Sequence, residues 1–316
     1  MRIRVLAVAL SGSLLAGGCA AVPQARPELP DGKVAATNEQ ATRFFNRYDE
    51  TNNTANAERD VQAITTIEAG PALEASLTGY ELATANNAEP PEAYFHTDVS
   101  AYSPRFTEYP MWFVATAQIN NDPNRTAVLA VMRESASAEW VVEQGGTLGE
   151  ADLPDIRLED GAIAEATGEQ QGRVAALLED AYSYLAGGDA PAGADVGAES
   201  LSSYRDWAEN STIQLEEVTA PEITCSTDSQ AEVRVLPTTD GVLGVATGRC
   251  VLSQTLRDDV PGEMTLGGEL SALAPEPGRS VEFVSSHPLV VHAPDDGEAV
   301  VYAGGWRWAD VTISAA

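Results

Sequence analysis

The spacing of apolar positions changes along the chain, and each change marks a different kind of element. From Asn38, "NEQATRFFNRYDETNNTANA" places Ala41, Phe44, Phe45 and Tyr48 at i, i+3, i+4 and i+7, the stripe of an amphipathic helix. Thr37 or Asn38 can cap it, and Glu39 suits its first turn. A short second helix is expected over about 58–68. Gly70 breaks it, and Pro71 opens a third helix that ends near Asn86. The pattern then turns to β-branched and aromatic runs, "YPMWFVATAQIN" (109–120), "RTAVLAVMRES" (125–135) and "AEWVVEQGGTL" (138–148), separated by "NDPN" and "ASA".

The second half repeats that order. "EQQGRVAALLEDAYSYLAGG" sets Val174, Leu177, Leu178 and Tyr182 on one side of a helix that ends at a Gly pair, and "AESLSSYRDWAEN" reads as a second helix. Strands are expected at about 212–219, 231–237, 242–256, 263–273, 280–292 and 298–314. Helices followed by hairpin-linked strands, twice over, predict an α+β protein with antiparallel sheets. The division falls near residue 168, giving a first domain over 37–167 and a second over 168–316.

The start of the chain follows another rule. Arg2 and Arg4 precede an apolar run, Val5 to Ala16, that is too short for a hydrocarbon core needing roughly 20 residues. Small residues then lead to Cys19, so residues 1–18 read as an export signal. Residues 19–36, with prolines at 23, 27 and 30, read as a partly extended tether. "LAGGC" resembles the lipobox of bacterial lipoproteins, with Ala16 where Leu is commoner and Leu15 one place earlier. The resemblance implies cleavage after Gly18 and a diacylglycerol thioether on Cys19, holding the protein at the outer face of the cell membrane. The alternative is plain secretion with an incidental cysteine.

With Cys19 acylated, Cys225 and Cys250 remain as an even pair in an oxidising compartment, and a disulfide between them is expected. Geometry sets a condition: alternate strands of a sheet lie about 9–10 Å apart, too far to bridge. Cys225 must therefore precede the 231–237 segment and lie alongside the far end of the strand holding Cys250.

Composition narrows the partners. Acidic residues number 48 against 18 basic ones, a net charge of −30, and no basic patch stands out, so nucleic-acid binding is not expected. Lys33 alone among the basic residues is a lysine, and it falls in the tether, which removes Schiff-base chemistry from the folded part. Histidine is scarce. His287 and His292 are five apart and face opposite sides of a continuous strand, and His96 reads as structural on a loop or first strand. No metal site or cofactor is expected, and no nucleophile, phosphate-loop or zinc-protease motif is present.

The polar–aromatic feature that stands out is "YAGGWRWAD", 302–310. Trp306 and Trp308 flank Arg307 and so share one side of the last strand, with Tyr302 further along. They can form a ligand or partner surface, or they can anchor the core against the second domain's helices. Trp207 is expected to pack its helix onto the sheet.

On element order, each half resembles the nuclear-transport-factor and cystatin-like cone folds. The whole chain resembles a family of actinobacterial secreted lipoproteins, through the lipobox, the acidic lysine-poor body, "RFFNRYDETNN" and "WRW". The expectation is a membrane-anchored, non-enzymatic protein that binds or assembles with an envelope protein, a wall polymer or a small ligand. The alternatives are a small-molecule enzyme whose cone pocket holds a buried Asp or Glu base, and a sensor ectodomain.

Overall fold

Thr37 opens the first helix with a full capping box: its side chain accepts from the Gln40 N–H while Gln40 reaches back to the Thr37 N–H. The computed structural model describes residues 32–315, apart from 150, 152, 192, 197–198 and 211–216. Helix α1 (Asn38–Glu58), a single turn α2 (Val61–Ile64) and α3 (Gly70–Ala85) come first. A four-stranded antiparallel meander follows: β1 (His96–Tyr102), β2 (Met111–Ile119), β3 (Asp122–Arg133) and β4 (Val141–Leu148). Thr167 and Gln170 form a second capping box at the start of α4 (Gly168–Leu185), which is followed by α5 (Glu199–Asn210).

The second sheet is built around two 15-residue strands in one long antiparallel ladder, β7 (Gly241–Thr255) and β8 (Ser280–Pro294). Each is flanked by two short strands placed end to end. β5 (Glu222–Thr227) and β6 (Arg234–Pro237) share the outer edge of β7. β9 (Ala299–Ala303) and β10 (Arg307–Ser314) share the outer edge of β8. Both gaps fall at one level, where Thr247 faces Pro288.

Side-chain alternation assigns the layers. Phe113, Ala115, Leu129 and Val131 of the first sheet pack in one cluster with Phe45 and Tyr48 of α1, Ile64 of α2, Ile67 after it and Tyr80 of α3. The neighbouring positions Val114, Val128 and Ala130 point the other way, onto Leu236, Leu243, Val245 and Val290 of the second sheet. That sheet's far face, through Val242, Ala246 and Val291, meets Val174, Leu178, Leu201 and Tyr204 of α4 and α5. The order is therefore helices, sheet, sheet, helices. Both sheets are covered on both faces, so their strands read as near-continuous apolar runs such as "AVLAV". Each side chain in that shared core contributes about 1.5–3 kcal/mol of burial, and residues on both sides of position 168 supply it.

Polar contacts reinforce the junction. Arg234 donates to Glu143 at 2.8 Å, with both side chains buried, and its guanidinium stacks on Trp112. Burial pushes the Glu143 carboxyl above the usual range despite the arginine. Arg249 donates to Glu74 at 2.6 Å, and the Thr78 hydroxyl donates to the Ala309 carbonyl at 2.7 Å, tying α3 to the second sheet. Gly146 allows the close approach of β4, because a Cβ there would meet Pro288 at 3.0 Å.

Several expectations change. Residues 263–273 form no strand; Gly268–Ala272 is a 3₁₀ turn, in a stretch punctuated by Gly267, Gly268, Pro275 and Pro277. The last strand is broken at Gly304–Gly305 into β9 and β10. Of the strand expected at 212–219, residues 212–216 lie outside those described and 217–219 form no strand; the next described strand is Glu222–Thr227. The tether ends sooner than Ala36, since Lys33–Val34 pair with Arg105–Phe106 and Ala35 donates to Ser103 Oγ. Cys19 and residues 1–18 lie outside the described residues.

Candidate functional site

Helix α1 presents Tyr48, Asn52 and Asn56 at four-residue spacing, one polar stripe on a single face. Opposite it, α3 presents Ala72, Ser76, Gly79 and Ala83, side chains too small to fill the space. Gly145 and Gly146 of β4 add no bulk either. The result is a cavity of about 370 Å³, within the range of small-molecule sites. Its walls come from α1, α3 and β4 of the first half, and from Thr247, Ser286, Pro288 and Arg307 at the level where the second sheet is broken.

Three polar atoms in this wall are buried without a hydrogen-bond partner: Glu68 Oε2, Gln144 Oε1 and Thr247 Oγ1. Their residues are 6%, 1% and 2% exposed. Buried polar groups in folded proteins are nearly always paired, so three orphans around one cavity set this wall apart from an ordinary core. Glu68 is the most consequential. Its Oε1 accepts from the Tyr48 hydroxyl at 2.7 Å. Burial raises its carboxyl above the ordinary range, against smaller opposing pulls from Ser76, Tyr48 and Arg307.

The surrounding polar groups are held in order. The Tyr94 hydroxyl oxygen accepts from Asn52 Nδ2 at 2.8 Å, and burial pushes its pKa up to about 12. Tyr80 donates to Asn56 Oδ1 at 2.8 Å. His96 lines the cavity and is fixed by Asp49, whose two oxygens take the His96 backbone N–H at 2.7 Å and ring Nδ1 at 2.6 Å. The guanidinium of Arg307 makes no hydrogen bond or ion pair among the described residues, and its charge acts on Glu68, Tyr48 and Tyr94. Glu68 and Asp49 escape recognition in the sequence because they are two of 48 carboxylates, and Arg307 because the tryptophans beside it draw attention first. Two signals do exist. Glu68 sits in "ITTIEAGPA" with no basic residue within four positions, and the alternation that puts both tryptophans on one face puts Arg307 on the other.

The candidate aromatic residues are placed elsewhere. Trp306 and Trp308 lie 5.0 Å apart between ring centres, in a cluster with Tyr204 and Trp207 of α5 and with Phe283. They anchor α5 to the second sheet, as the core alternative has it. Tyr302 is not with them: it packs in the core between the two sheets, because the Gly304–Gly305 break separates its strand from theirs. The three therefore form no common surface. His287 packs on Tyr204 and bonds Ser285 Oγ at 2.8 Å, and burial drives its ring down to about 3. His292 lies on the other side, 3.3 Å from Asp240. No cluster of metal-ligating residues occurs among the described residues.

Cys225 on β5 faces Cys250 on β7 with a Cα–Cα distance of 4.1 Å, and a disulfide joins them. The pairing is possible because β5 borders β7 directly, with β6 following along the same edge. A wider, shallower trough of about 1,030 Å³ runs between α4 and these two strands, with apolar walls from Val174, Leu178 and Val235. No helix among the described residues is long and apolar enough to cross a membrane.

An "Uncharacterized lipoprotein" of Streptomyces avermitilis is 31% identical over 156 residues, covering 48% of this chain and 46% of that protein. The chain thus spans about half the length of this relative. No solved structure matches the chain. A family model described as a domain of unknown function, DUF8094, matches residues 33–307, which takes in α1 to α5, the first sheet, and the second sheet as far as the first residue of β10: the chain belongs to the DUF8094 family.

Proposed function

We propose that this protein is a lipid-anchored extracytoplasmic lipoprotein that binds a small polar ligand in the cavity between its two halves. The observation that carries the binding role is Glu68 Oε2, a buried and unpaired carboxyl oxygen in a cavity large enough for a ligand and faced by Arg307. The anchor rests on the lipobox at Cys19 and on the lipoprotein name of the Streptomyces relative. Several acyl chains, at about 0.8 kcal/mol per buried methylene, make such an anchor durable. A binding role needs no catalytic motif.

A second reading has the same cavity perform acid–base chemistry. It rests on the Asp49–His96 pair, in which the carboxylate holds the ring so that hydrogen sits on Nδ1, beside the Glu68 carboxyl, whose pKa burial raises. Its test is turnover of whatever ligand is found, compared with His96→Gln.

The binding reading is tested with Gly79→Leu. A Cβ at Gly79 meets nothing within 4 Å, so leucine projects into the cavity mouth and also favours the helix. Native mass spectrometry of protein released gently from its own membranes should show a small-molecule adduct on the wild type and none on a folded Gly79→Leu. No adduct on the wild type, or equal adducts on both, overturns the reading.

A further inference from the structure

The hydrogen-bonding groups left open in the cavity define a ligand class, an inference that rests on the binding reading above. At one side stands Arg307, opposite Ser286 in the β8–β10 ladder, with five N–H donors and no partner among the described residues. A guanidinium facing a cavity fits a planar two-oxygen anion, which accepts two parallel hydrogen bonds. In a chain of net charge −30, a dissolved anion is repelled at long range, so an anion site needs a local cation of this kind.

The remaining open groups ask for something else. Gln144 Oε1 is an acceptor whose amide nitrogen is already committed to the Glu232 carbonyl at 2.6 Å, so it needs a donor. Thr247 Oγ1 can donate or accept. Glu68 Oε2 accepts when ionised and can donate when protonated, and burial favours the protonated form. Groups that both donate and accept answer all three, and hydroxyls do so without adding charge. Tyr80 and Tyr94 line the same cavity, and tyrosine rings offer apolar surface to a carbon skeleton.

We propose that the cavity takes a polyhydroxylated organic acid of about monosaccharide size, its carboxylate on Arg307 and its hydroxyls on Gln144, Thr247 and Glu68. A cationic group is disfavoured beside Arg307, and a neutral sugar leaves the guanidinium unanswered. Inorganic phosphate can meet the arginine but spans too little of the cavity to reach the other three groups.

Three probes of matched size separate these cases: glucuronate, glucose and glucosamine, with inorganic phosphate as a fourth. Saturation-transfer NMR and calorimetry on the full folded chain, wild type and variants, give the readout. Glucuronate should bind more tightly than the other three. Arg307→Gln should weaken glucuronate by about 10- to 100-fold and leave glucose unchanged. Gln144→Leu should weaken glucuronate and glucose alike. Arg307 is exposed, and its guanidinium makes no ion pair among the described residues, so its variant should fold; circular dichroism checks that. Preference for glucosamine or glucose, or glucuronate binding indifferent to Arg307→Gln, overturns the ligand class while leaving a binding cavity. Phosphate binding as tightly as glucuronate also overturns it. If no probe binds and the native adduct test is also blank, both readings fall together.

Discussion

Replacing Glu68 by Gln tests whether the cavity holds a strained carboxyl. The residue is 6% exposed, Oε1 accepts from the Tyr48 hydroxyl at 2.7 Å, the Ser76 hydroxyl acts on the carboxyl from α3, and Oε2 lacks a geometrically sound hydrogen bond among the described residues. Burial raises its pKa in the folded state above the 4.5 of an ordinary glutamate. The folded protein thus holds a proton that the unfolded chain has already released. Stability from this group is complete below about pH 4.5, falls as pH rises toward the folded value, and stays lost above it. Glutamine keeps the shape and the acceptor for Tyr48 while removing the charge. A buried group left unsatisfied costs about 1–3 kcal/mol. Near pH 8, ligand-free Glu68→Gln should therefore be more stable than the wild type by about that amount, a shift of a few degrees in Tm for a chain of this size. Near pH 4 the two should converge. Thermal unfolding followed by circular dichroism across this range is the assay. A Glu68→Gln protein that is less stable at high pH, or a difference that does not change with pH, refutes the reasoning.

Other perturbations probe the frame around the cavity. Glu143→Ala leaves the buried Arg234 guanidinium with only the exposed Glu232 carboxylate at 2.7 Å and should cost about 1–3 kcal/mol in chemical denaturation, whereas Glu143→Leu with Arg234→Met should recover most of it. Trp207→Ala removes the centre of the aromatic cluster that fastens α5 and, because the ring is partly buried, should cost about 2–3 kcal/mol, while leaving ligand binding intact because Trp207 does not line the cavity. Cys225→Ser with Cys250→Ser opens a link between residues 25 apart and should cost about 3–4 kcal/mol; two free thiols by mass spectrometry in the non-reduced wild type would contradict the pairing. Cys19→Ser should release the protein into the medium, and its continued membrane retention would reject the lipobox.

The elements were largely legible because capping and periodicity are local. Thr37 and Thr167 announce their helices, and the 111–148 meander follows the apolar runs. The stacking was not legible. Strands such as β3, buried on both faces, carry no alternation to say which face meets helices and which meets the other sheet. The Gly304–Gly305 break was visible as residues but not as a break, because a Gly pair also fits a bulge within a continuous strand. The cavity depends on residues far apart in sequence: Tyr48, Glu68, Gln144, Thr247 and Arg307 meet only when both sheets are assembled. "WRW" drew attention to its tryptophans, which fill the core, while the arginine between them faces the open space.

A crystal structure of the protein purified from its own envelope without added ligand tests the central claim most directly. The account predicts density for a small organic molecule between Glu68 and Arg307, hydrogen-bonded to Gln144 or Thr247. A cavity closed by inward side chains, with Glu68 Oε2 paired to the protein and Arg307 turned to solvent, would contradict it.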